Sequence, residues 1–226
     1  MKRIILNVIE SDWQKNWNKE KSFFMKKKNY EANLRVKHLA LLKEVESLSQ
    51  FIYKVIEIRK LFHFTGEVIL EEVPNLKGME IVAGGPIPGW VIGLSSGRRI
   101  WILRKSEWKN QKMGLCELIL HEFVHIAVSH GVSKDIPIWL NEGLAVYLSG
   151  QYKDYKLQES HIRAEVDFYR LSYESEHLYI IAAKTVTALA EEYGKEAVIQ
   201  ELLECEDLQM SEIFCNENLN RIVKDK

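Results

Sequence analysis

The run "MGLCELILHEFVHIAVSHG", residues 113 to 131, limits the fold more than any other part of the chain. Its apolar positions Leu115, Leu118, Ile119, Val124, Ile126 and Val128 suit a largely buried helix, with Gly131 as a natural stop. The same run carries His121, Glu122 and His125. At 3.6 residues per turn the two imidazoles share a face one turn apart, and Glu122 lies about a quarter-turn away. Two imidazoles and a carboxylate are costly to bury without a shared partner. This spacing lets both imidazoles reach one tetrahedral zinc ion, with Glu122 placed to hold a water rather than to ligate.

The next run, "DIPIWLNEGLAVYLSG" (135 to 150), reads as a turn at Pro137 followed by a helix from about Trp139 to Gly150. Glu142 falls in its first turn among apolar neighbours. A glutamate there can serve as a helix-start charge stabilised by the dipole. A catalytic zinc site, however, needs three protein ligands and one open position, and a carboxylate from a second helix is a common third. The loop from His130 to Pro137 is long enough to turn the chain back and bring Glu142 under the histidines. His121, His125 and Glu142 are therefore the candidate ligands of one zinc ion per chain.

Composition sets the frame around that site. At 226 residues, with 46% hydrophobic and 28% charged, the chain can bury a large core. Thirty-one basic and 32 acidic residues leave a formal charge of -1, which argues against a nucleic-acid partner. The apolar part of "MKRIILNVIE" is too short for a signal-peptide core, and no later stretch approaches a membrane span. The three cysteines, Cys116, Cys205 and Cys215, form no CxxC pair and read as reduced thiols. A cytoplasmic protein with no membrane contact is expected, its oligomeric state left open.

"KRIILNVI" (2 to 9) reads as a strand, and the mixed basic and aromatic stretch after it as an amphipathic helix or loop. From Asn33 to Phe62 an apolar stripe through Leu34, Leu41, Leu48 and Val55 suggests one long helix, or two with a break near residues 47 to 50. "TGEVILEEV", "GMEIVAG", "GWVIGLS" and "RRIWILR" are β-prone runs separated by Gly, Pro and Asn. The pattern is helical from Lys112 almost to the end. This is an α+β order. It is expected as one domain of 1 to 226: a strand and long helix to residue 65, a small mixed sheet over 66 to 105, and a helical part from 106.

"HEFVH" followed by "WLNEGLA" resembles the gluzincins, the HExxH-plus-Glu zinc metallopeptidases, and "WLNEG" resembles their aminopeptidase N and small peptidase-MA-like branch. The resemblance covers residues from about 90 to 205. It implies a zincin-like fold, His121, His125 and Glu142 as zinc ligands, and Glu122 as general base in hydrolysis of a peptide or protein substrate. It also implies a tyrosine that stabilises the oxyanion. Tyr179, fifteen residues before Gly194, is the candidate, with Tyr147 a weaker rival.

The departures are informative. Aminopeptidases hold a substrate's free amine with a GxMEN strand, whereas this chain has only "GMEI" at 78 to 81, a coincidental match. Where thermolysin-type relatives place an Asp to orient a histidine, this chain has Val146, so partners for the imidazoles must come from elsewhere. Gly93, Leu94 and Ser95 in "GWVIGLSS" form the candidate edge that pairs with an extended substrate. Internal cleavage of extended peptides is expected. Two alternatives stay open: a non-catalytic zinc-binding regulator whose fourth ligand is His130, His161 or His177, and an interaction protein working through its N-terminal helix.

Overall fold

The β-prone runs "VILEEV" and "RIWIL" form two adjacent inner strands of the sheet. The computed structural model describes residues 20–27, 30–37, 48–109, 114–154 and 165–224. Strands β1 (Glu20–Lys27), β2 (Tyr30–Lys37), β3 (Val68–Val73), β4 (Gly93–Ser96) and β5 (Arg99–Leu103) form one mixed sheet in the order β1-β2-β3-β5-β4. β2, β3 and β5 run parallel, while β1 and β4 are antiparallel to their neighbours. Val68, Leu70, Ile100 and Ile102 are buried on the inner face, the period of two that a half-covered sheet requires. β4 lies at the edge of the sheet.

Helix α1 (Leu48–Leu61) links β2 to β3, and α2 (Leu76–Ala83) follows β3. The helical part is α3 (Leu115–Gly131), α4 (Ile138–Ser149), α5 (Leu178–Tyr193), α6 (Lys195–Glu204) and α7 (Asn216–Lys224). α3 packs against α1, α4 and β4, and α4 is held between α3 and α5. One continuous apolar cluster runs from Phe51 to Val223, with Phe123 and Trp139 fully buried. Covering each such side chain contributes about 1.5–3 kcal/mol. The two site helices are thus rigid because their non-functional faces are core.

Several expectations are corrected. Residues 33 to 37 belong to β2 rather than to a helix. The apolar residues of "YEANLRVK" alternate with polar ones, a strand period that a stripe drawn through Leu34 obscured. Part of the basic and aromatic stretch, Glu20–Lys27, is β1. "GMEIVAG" lies on α2, because the Asn75 side chain accepts from Gly78 N and caps a helix there. Residues 89 to 92 precede β4 instead of extending it. The strand expected at 2 to 9 and the segment 38 to 47 lie outside the described residues.

Two glycines set the layer spacing. A Cβ at Gly143 would lie 2.6 Å from both Ala182 O and Val186 Cγ2, so α5 can approach α4 this closely only across a bare backbone. A Cβ at Gly93 would lie 2.6 Å from Glu122 Oε1 and 3.0 Å from Leu118 Cδ1, which brings β4 directly over α3. Gly143→Ala is expected to destabilise the protein by about 1–3 kcal/mol through overpacking. An unchanged urea midpoint would show that α5 yields at no cost.

Candidate metal centre

His121 and His125 lie one turn apart on α3, and α4 returns so that Glu142 meets them. His121 Nε2 is 3.1 Å from His125 Nε2 and 3.3 Å from Glu142 Oε2, and His125 Nε2 is 3.8 Å from Glu142 Oε1. The three side chains are 12%, 17% and 5% exposed. Among the described residues this is the one cluster of three or more histidine, cysteine or acidic groups able to hold a metal ion.

What faces the imidazoles fixes their tautomers. His121 Nδ1 is 2.9 Å from Gln151 Oε1, and His125 Nδ1 is 3.0 Å from Asn141 Oδ1. Both are amide oxygens, so each Nδ1 carries the hydrogen and each Nε2 presents its lone pair. Two lone pairs and a carboxylate then converge with no hydrogen among them, and buried Glu142 Oε2 finds no hydrogen-bond donor. Such a set repels itself unless a cation stands at its centre. Ligand atoms about 2.0–2.1 Å from a tetrahedral zinc sit about 3.3 Å apart. The separations of 3.1 Å between the imidazoles and 3.3 Å from His121 to Glu142 match that spacing, His125 meets the other carboxylate oxygen at 3.8 Å, and two imidazoles and one carboxylate suit zinc chemically.

Charge asks for the same thing. Burial, the largest single influence, pushes the His121 pKa down, but Glu142, Glu122 and Gln151 together outweigh it and the net shift is upward. Burial raises Glu142, and His121 and His125 more than reverse it.

Glu122 is buried but stands apart from the ligand set: its Oε2 accepts from Ser95 Oγ at 2.8 Å. Gly93 and Ser95 thus meet Glu122 from β4, while Leu94 is the residue paired with Trp101 of β5. Tyr179 sits in the first turn of α5 with its ring edge against Trp90. Tyr147 is five residues past Glu142, about 140° around the helix, and its ring meets Tyr152. His130 turns to Ile126 O and the Phe64 ring, and His177 pairs with Glu176 at the start of α5. Neither joins the metal group, and His161 lies outside the described residues.

Sequence reading missed three residues here. Asn141 and Gln151 orient the histidines, and Tyr173 Oη donates to Glu142 Oε1 at 2.9 Å. Burial first, then the Glu142 charge, push the Tyr173 hydroxyl pKa well up, so it remains a donor. Only Asn141 had a local signal, its place beside Glu142. Val146, at the position where thermolysin-type relatives place an orienting Asp, is fully buried.

No protein-family model matches the chain, and no curated protein is similar to it in sequence. Its fold is similar to that of an M1 zinc metallopeptidase from Deinococcus radiodurans, a mutant bound to a Tyr-Ser-Ala substrate. The TM-score is 0.54 and the identity 10%, over 91% of this chain and 51% of that one. The chain therefore spans about half the length of this neighbour, and at that identity the likeness shows a shared fold alone.

Replacing Tyr173 by Phe or Gln151 by Leu is expected to weaken zinc binding by about 10–100-fold, since each frees one ligand to reorient. Competition of the purified protein with a chelator of known affinity measures this. Affinities equal to wild type would remove these residues from the site's support.

Proposed function

We propose that this chain is a zinc-dependent peptidase that holds one zinc ion through His121, His125 and Glu142 and uses Glu122 as general base. The observation that carries this reading is the convergence of three unshared lone-pair donors beside a fourth group, Glu122, that Ser95 keeps out of the ligand set. An inert structural site would gain nothing from a separate buried carboxylate. Zinc, when bound, supplies a Lewis acid for the scissile carbonyl and brings the pKa of a bound water to about 7.

The protein's own residues do the rest. Glu122 accepts the water's proton and returns it to the leaving amine, and the Ser95 hydroxyl on Oε2 fixes its carboxylate plane. Tyr179, in the first turn of α5, is the proposed donor to the developing oxyanion. Tyr173, whose hydroxyl already reaches Glu142, competes for that role.

β4 supports an extended peptide as substrate. Leu103 N donates to Ile92 O, and the register then pairs Leu94 with Trp101 and Ser96 with Arg99. By antiparallel alternation, the backbone groups of Gly93 and Ser95 point outward from the sheet edge. Among the described residues no strand pairs with them, and a substrate strand laid beside Glu122 is the proposed partner. β4 itself, Gly93–Ser96, bears no carboxylate, and Glu80 lies on α2. With no acid on this strand to hold a free α-amine, cleavage within a chain is the favoured mode.

The Glu122→Gln protein is expected to keep about one zinc per chain by metal analysis while hydrolysis of a peptide library nearly vanishes, because an amide cannot accept the proton. His125→Ala is expected to lose the metal. Equal cleavage by wild type and Glu122→Gln would end the base assignment. Acetylating a substrate's N-terminus should leave cleavage intact; abolished cleavage would make the protein an aminopeptidase with an anchor outside β4.

A further inference from the structure

Trp90 is 58% exposed. A single exposed apolar side chain is ordinary. Its position and partner are not. Trp90 is three residues before Gly93, which abuts Glu122, and three residues span at most about 10 Å. Its ring meets Tyr179 edge-on, with centroids 6.3 Å apart at 83°. Tyr179 belongs to α5, six residues past Tyr173, whose hydroxyl holds Glu142. The aromatic pair therefore joins the sheet side of the metal group to its helix side at the N-terminal end of β4. The indole is left open to solvent.

We propose that Trp90 and Tyr179 form a subsite for an apolar, preferentially aromatic, substrate side chain; this rests on the peptidase reading above. A chain paired with the outward groups of Gly93 and Ser95 continues past the start of β4. Its side chains alternate, so one a few residues from the scissile bond meets the indole face. Edge-to-face and offset packing on Trp90 rewards a ring there. Lys109 Nζ stands 3.0 Å from where a Cβ on Gly89 would be, which sets a positive charge beside the subsite and disfavours a basic residue.

The test uses the zinc-loaded Glu122→Gln protein, so that binding is read without turnover. N-acetylated peptides that differ only by Phe, Ala or Lys at each position in turn are titrated calorimetrically. One position should prefer Phe over Ala by about tenfold and reject Lys. Trp90→Ala should erase that preference, and Trp90→Phe should retain most of it, with zinc content unchanged in both. Peptide binding without such a position, or a preference that Trp90→Ala leaves intact, overturns the subsite while the peptidase reading stands. Absence of any peptide binding to the zinc-loaded protein overturns both. Self-association that Trp90→Ala abolishes would assign the pair to a second copy of the chain and overturn the subsite.

Discussion

Three electron pairs pointed at one another inside a folded protein are a repulsion that something must neutralise. His121 Nε2, His125 Nε2 and the Glu142 carboxylate are in that position, and the structure around them is arranged to keep them there. Gln151 and Asn141 turn the imidazoles inward, and Tyr173 holds one carboxylate oxygen so that the other stays free. Each of these contacts would be wasted if the histidines could rotate away. Their combined effect is a His/His/Glu group that could hold a metal ion, kept in place by the apolar packing of α3 and α4.

Close backbone approach is the second constraint. Glu122 can be both buried and separate from the ligand set only because β4 comes down on it at Gly93 and offers the Ser95 hydroxyl. Tyr173 reaches Glu142 from the segment that leads into α5, and α5 rests on the bare face of Gly143. A side chain at either glycine would push a wall away from the metal group. The site is therefore a product of layer spacing as much as of ligand identity.

The same spacing leaves β4, beside the carboxylate, at the edge of the sheet among the described residues. Unpaired edges are usually blunted by charge, proline or cover. β4 is short, as a protected edge often is, but its outward groups adjoin Glu122 and its N-terminal end leads to an exposed indole.

The sequence by itself determined the local part of this protein. His121 and His125 share a helix face, with Glu122 about a quarter-turn away, because 3.6 residues per turn leaves no other arrangement, and α3 and α4 end at Gly131 and Gly150, as the apolar runs indicated. β3 and β5 showed as β-prone runs bounded by Gly, Pro and Asn. The misreadings, β2 taken as helix and α2 as strand, occurred where a short run satisfied two periods and the deciding contact was a strand partner or an Asn75 cap. Gln151 and Tyr173 were illegible for a related reason. They reach the site from 30 and 31 residues away, across a turn and another segment. No periodicity links such positions; only the packing of α4 between α3 and α5, and of β4 over α3, decides which distant side chains meet the metal group.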